Sequence, residues 1–233
     1  MSDEPSEKTG DVGFRRYLHT QQPIGRVLAV ASISRRFGRT KGAAKPMSTP
    51  ILTVAPAGTW NLDPVHSRVD FEVSYLAGRF KGEFHEIGAE LTVEGERASL
   101  EGTAKVASVD VKDENLSAHL HSPDFFDAER HPELRFAALD IRLDGGGHGK
   151  VSVDGELTIK GVTKPVAVTG RVTAPIADPY GNDRIGLDLT TTVDRTDFGV
   201  DWNQPLPTGE PALANDVTIL AELQFVKPGS ETS

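Results

Sequence analysis

The sequence predicts an all-β domain: an antiparallel, up-and-down barrel of about eight strands with one short helical insertion. Three observations predict it. From Thr59 onward, apolar and polar residues alternate in runs of strand length, which gives each strand one apolar face. Clusters of Gly, Pro, Asn and Asp separate the runs, so that neighbours connect as hairpins. A single long stretch, Ala118 to Phe136, breaks the alternation, and in an otherwise β chain such a connection serves to close one end. A sandwich would also fit the strand count, but sequential hairpins favour the barrel, because closure removes both sheet edges.

In order along the chain, Val69, Phe71, Val73 and Tyr75 alternate with Asp70, Glu72 and Ser74. Gly78 permits a turn, and a second, longer strand runs from Phe80 to Val93 with Gly82 and Gly88 as expected bulges. Gly95-Glu96 leads into Ala98–Val111. Asp113 and Ser117 are suited to start a helix, while Pro123 and Pro132 stop any helix that runs on. A strand over Leu134–Leu143 follows, then a turn at 144–149, and then Val151, Val153, Leu157 and Ile159. Gly161 closes a hairpin into Val166, Val168, Val172 and Ile176. Asp178-Pro179-Tyr180-Gly181-Asn182 is turn chemistry, and Leu187, Leu189, Thr191 and Val193 form the next strand. A proline-bearing loop (Pro205, Pro207, Pro211) precedes the last strand, Val217 to Phe225.

Composition excludes several functions. The chain has 233 residues and a formal charge of −9, which argues against nucleic acid or an anionic membrane as the main partner. It has no cysteine, so disulfides, thiolate catalysis and cysteine-bound zinc are ruled out. Residues 1–57 stand apart, because they are basic (Arg15, Arg16, Arg26, Arg35, Arg36, Arg39, Lys41, Lys45) and lack sustained alternation. Their one apolar run, Val27–Ile33, falls well short of the roughly 20 residues that span a membrane. The segment reads as a disordered extension, with Met47 as an alternative start. A signal-peptide h-region is the competing reading, but Arg35-Arg36 stands where small residues should be. The barrel domain is expected over 58–228, with a disordered tail at 229–233, and a cytoplasmic location is expected, with periplasmic or secreted as the alternative.

Several ordered motifs resemble those of the YceI-like family. They are Asp63-Pro64-Val65-His66-Ser67, the stretch Ala118–Phe136, Gly161-Val162-Thr163-Lys164-Pro165, Asp178–Asn182, and Thr192–Asn203. Together they cover roughly 58–226. The resemblance implies a lipocalin-like barrel that holds a polyisoprenoid, isoprenoid quinone or fatty-acid-like chain.

An apolar interior dominated by Val, Ile, Leu, Thr and Ala suits a hydrocarbon, since each methylene taken from water gains about 0.8 kcal/mol. The lining expected from alternation and motif position is Val69, Phe71, Val73, Tyr75, Phe84, Leu134, Phe136, Leu157 and Ile159, with Phe125, Phe126, Phe198 and Trp202 guarding the ends. His119 matches a family motif, which implies a structural or headgroup role.

No cofactor is expected. His119 and His121 are two apart, so on a helix they point in different directions and are poorly placed for one metal. The Asp-Phe-Gly triplet at 197–199 lacks every kinase partner and reads as a turn in which Asp194, Arg195 and Asp197 can bond one another and the backbone. Lys150 after the glycine run lacks the following Ser/Thr of a P-loop. Two rival functions are an enzyme acting on a lipid-like substrate, using His119 with Asp124 or Asp127, and a filled barrel serving stress response or interaction. A homodimer through the barrel wall is left open.

Overall fold

The computed structural model describes residues 55–227 apart from Glu96 and residues 144–148. The expected extension falls outside these residues except for 55–57, as do the C-terminal tail and most of the 144–149 turn. The strands are β1 (Gly58–Leu62), β2 (Arg68–Tyr75), β3 (Gly78–Phe84), β4 (Ile87–Glu94), β5 (Arg97–Lys105), β6 (Val109–Asp110), β7 (Glu133–Ala138), β8 (Ile141–Leu143), β9 (Lys150–Ile159), β10 (Val162–Val172), β11 (Ile176–Ala177), β12 (Asp183–Asp194) and β13 (Leu213–Lys227). One helix, α1 (Glu114–His121), lies between β6 and β7.

Every ladder is antiparallel, and consecutive segments merge into a closed eight-strand meander. β1 and β2 are two halves of one broken strand: β1 pairs β4, and β2 pairs β3. β13 closes the barrel by pairing β12 along one edge and β2 and β1 along the other. The up-and-down barrel expected from alternation is therefore the observed fold.

Several local expectations change. Gly82 and Gly88 are not bulges, because the ladders run through them in register, Phe71 opposite Gly82 and Gly88 opposite Thr103. The strand breaks instead at His85-Glu86. Gly82 is required for space: a Cβ there would lie 2.5 Å from the Phe71 ring and 2.8 Å from Val111. The Leu134–Leu143 strand is likewise split into β7 and β8, Ala98–Val111 into β5 and β6 by a turn at Val106–Ser108, and the run from Val166 to Ile176 into β10 and β11.

The barrel is filled unevenly. Away from α1, Trp60 and Phe225 are fully buried among Leu91, Val93, Val153 and Leu187 and plug that end. Each such side chain contributes about 1.5–3 kcal/mol. Towards α1 the core is a second cluster around Phe71, Phe84, Phe125 and Phe198.

α1 starts where the Asp113 carboxylate accepts from the Leu116 N–H at 2.9 Å and stops at Ser122, whose conformation is extended ahead of Pro123. Ser117, the other proposed start, sits inside the helix. Eight residues are too few to be helical alone. Burial of Leu120, together with Phe125 just beyond the helix, holds it against the barrel. Among the described residues, no helix is long and apolar enough to cross a membrane.

Candidate functional site

Beneath α1 and the loop that follows it lies a cavity of about 330 Å³. All fourteen residues expected from sequence are on its wall: Val69, Phe71, Val73, Tyr75, Phe84, His119, Phe125, Phe126, Leu134, Phe136, Leu157, Ile159, Phe198 and Trp202. Alternation brings them together, since the inward face of each strand is its apolar face. Phe71 meets Phe80, Phe84 and Phe126 at centroid distances of 6.2, 5.8 and 6.4 Å, so one side of the wall is a patch of tilted and edge-on rings. The end guards do not divide between the two ends. Phe125, Phe126, Phe198 and Trp202 all belong to the cluster on the α1 side, and Trp60 and Phe225 fill the other end.

The lid is tied down by specific contacts. The His119 ring stands edge-on to Phe125 and to Trp202, each at 4.9 Å, and its Nε2 lies 3.2 Å from Asp124 Oδ2. Lys160 and Gly161 form the two-residue turn between β9 and β10 with φ of 51° and 75°, as such a turn demands. From that turn the Lys160 ammonium donates to the Pro123 carbonyl at 2.6 Å and the Gly199 carbonyl at 2.8 Å. It thereby joins the lid loop to the loop after β12.

His121 does not line the cavity, and its Nε2 is buried without a hydrogen-bond partner. The carboxylates considered for acid–base work do not converge on the cavity. Asp124 faces His119 at the rim, Asp127 is buried beside Arg130 at 3.5 Å, and Glu129 is exposed. Among the described residues, no three His, Asp or Glu side chains gather as a metal site.

Sequence reasoning missed part of the wall. Leu189, Val193, Val217 and Ile219 line it from β12 and β13. Their alternation was visible, but which strands flank the empty part of the barrel was not. Arg195 sits in the expected turn, and in addition it is 6% exposed and borders the cavity. Its guanidinium donates to the carbonyls of Ala214, Val200 and Trp202 at 2.9, 2.6 and 2.8 Å, and to Asn215 Oδ1 at 3.3 Å. Burial pulls its pKa below the ordinary arginine value, while Asp194 and Asp201 act the other way. Arg195 thus organises the 195–198 turn and the loop to β13 from inside.

At the far end, Arg184 donates to Asp63 Oδ2 at 2.6 Å and to Asp178 Oδ2 at 3.0 Å. The Arg184 hydrogen bond, with help from His66 and the Val65 N–H, lowers Asp63 to about 2. The backbone N–H of Asn182, then the Asn182 side chain and Arg184, lower Asp178 to about 2. Two turn motifs distant in sequence thereby become one structural clamp.

The profile described as the YceI-like domain matches residues 60–225. A UPF0312 protein of Pseudomonas putida is 31% identical over 170 residues, covering 68% of this chain and 85% of that one. Among solved structures, Burkholderia cenocepacia BcnA superposes with a TM-score of 0.60 at 25% identity, over 70% of this chain and 98% of BcnA. A polyisoprenoid-binding domain from Saccharophagus degradans, implicated in plant cell wall breakdown, has a TM-score of 0.56 at 14% identity, over 72% of this chain and 98% of that one. At that identity it shows a shared fold.

Proposed function

The chain belongs to the YceI-like family, and on that premise we propose that it binds one amphiphilic long-chain lipid, its hydrocarbon lying in the barrel. The observation that carries the proposal is the apolar cavity of about 330 Å³ under a pinned lid. That volume is at the small end of the roughly 300–1,000 Å³ typical of small-molecule sites, so it suits one slender chain. Ligand classes consistent with the wall are a polyisoprenoid, an isoprenoid quinone or a fatty-acid-like molecule. The structural neighbour described as polyisoprenoid-binding supports the first of these. The affinity would come from methylenes leaving water at about 0.8 kcal/mol each. An affinity of that origin needs few polar contacts, and the wall offers few.

The test is organic extraction of the natively purified protein followed by mass spectrometry. One long-chain lipid at near-equal molar ratio supports the proposal. A clean extract, still clean after incubation with quinones, prenols and fatty acids, refutes it. One contact favours a second reading: His119 lines the cavity and is paired with Asp124, as an oriented general base would be. Turnover of a lipid-like substrate that vanishes in a His119→Ala variant still able to bind lipid would establish that reading.

A further inference from the structure

The barrel wall is not hydrogen-bonded all the way round. β10 and β12 pair only from Thr169 opposite Thr190 to Val172 opposite Leu187. Towards the lid the two strands continue, to Val162 on one side and Asp194 on the other, with no ladder between them. On their outer edges β10 and β12 stay paired along this stretch, to β9 and β13 respectively. Among the described residues, the hydrogen bond that bridges the gap is from a side chain: Thr191 Oγ1 donates to the Ala167 carbonyl at 2.9 Å.

The sequence accounts for the opening. The Ala167 carbonyl faces β12, and backbone groups face the same side at every second residue, so residue 165 faces β12 as well. That residue is Pro165, which has no N–H to offer. On the other strand, Asp194 ends β12 by accepting from the N–H and hydroxyl of Thr196, and the turn it starts places Phe198, 1% exposed, in the wall.

A groove of about 260 Å³ lies over the gap, with Lys164, Pro165 and Ala167 on one lip and Thr192 and Asp194 on the other. Val166, Thr191, Val193 and Phe198 border both this groove and the central cavity. The two spaces thus share these four residues as a common wall at the seam. Elsewhere at this end the lid is held by Lys160 and by His119 edge-on to Trp202. Lys164 has no ion pair among the described residues, so a polar group in the groove would find a donor there.

We propose that the unpaired seam between β10 and β12 is the portal through which the lipid chain reaches the cavity, its polar end staying in the outer groove. This rests on the lipid-binding function proposed above. Because the chain lacks cysteine, thiol probes can be placed without background. A Thr192→Cys variant labelled with bimane is loaded with a long-chain alcohol carrying a nitroxide beside the hydroxyl or at the opposite tip. Stronger quenching by the hydroxyl-end label is expected, and stronger quenching by the tip label overturns the proposal.

Extending the observed register sets Ala167 opposite Thr192, both exposed. In an Ala167→Cys/Thr192→Cys variant, joined by a disulfide or a short bis-maleimide and verified by mass, lipid exchange should slow at least about tenfold. Reduction of the disulfide should restore it, and Lys160→Ala, which frees the lid, should leave exchange unchanged. Linked protein that exchanges as fast as unlinked protein overturns the portal but leaves lipid binding standing. Wild-type protein that takes up neither alcohol removes both proposals.

Discussion

Arg184 and Asp63 are 121 residues apart in the chain and 2.6 Å apart in the fold. Their hydrogen bond, with the second from Arg184 to Asp178, locks the β1–β2 corner to the start of β12 at the end away from the lid. The contact explains why two proline-containing turns carry aspartates at their first positions: Asp63 accepts from the Val65 N–H, Asp178 from the N–H groups of Tyr180 and Asn182, and the two share one guanidinium.

This clamp predicts acid sensitivity. Asp63 and Asp178 titrate near 2 in the fold, below the ordinary value of 3.8. A depressed carboxylate pKa means that the ionised form favours the folded state. The contribution is therefore full above about pH 4 and disappears as pH falls through about 2. Replacing Arg184 by Gln should raise the pH midpoint of acid unfolding, followed by circular dichroism. The stability gap between wild type and variant should close between pH 4 and 2, and a gap that persisted at pH 2 would show that these carboxylates are not its source.

The contact between Gly82 and Phe71 predicts intolerance of even one methyl group. With Cβ positions 2.5 Å from the ring, Gly82→Ala forces Phe71 or the strand to shift and should cost about 1–3 kcal/mol in urea unfolding. Gly78→Ala has nothing within 4 Å and should stay within about 0.5 kcal/mol. Equal effects from both would mean that the ring is not fixed over Gly82.

Lys160 should govern the lid. Lys160→Ala removes two hydrogen bonds from an ammonium that is open to water, a loss of about 1 kcal/mol. Hydrogen exchange over residues 119–131 should quicken about fivefold while the amides of β12 keep their protection. Unchanged lid protection would assign its anchoring to His119 and Trp202 instead.

For the cavity, Phe71→Glu is the most direct change. Phe71 is 8% exposed at the centre of the ring patch, and a carboxylate there either ionises against the apolar wall or fills it with water. Folded Phe71→Glu protein should emerge from extraction without lipid. A lipid load equal to that of wild type would remove Phe71 from the site.

Strand identity and facing were readable because they are local. Period-two alternation in Val69–Tyr75 or Leu187–Val193 states which side chains turn inward wherever no bulge intervenes. For that reason fourteen residues chosen from pattern and motif lie on one wall. Glycine roles were less readable: Gly82 looked like a bulge, and only the Phe71 ring above it shows that it answers a packing demand. The turn at Arg195 and its bonding to backbone were readable, but an arginine is ordinarily expected in water, and only the carbonyls of Ala214, Val200 and Trp202 reveal its buried seat.

By itself the sequence determined the all-β class, the hairpin order, the apolar faces and the place of the lid, all of which follow from spacing between near neighbours. Which end of the barrel is plugged and which is hollow was decided only in the tertiary structure, where Trp60 of β1 and Phe225 of β13 are buried in one cluster. The clamp joining Asp63, Arg184 and Asp178 and the unpaired seam between β10 and β12 were decided there too. The physical reason is the same in each case. Alternation specifies a face, but a cavity, an ion cluster or a gap is a relation among strands that come together only when the sheet closes on itself.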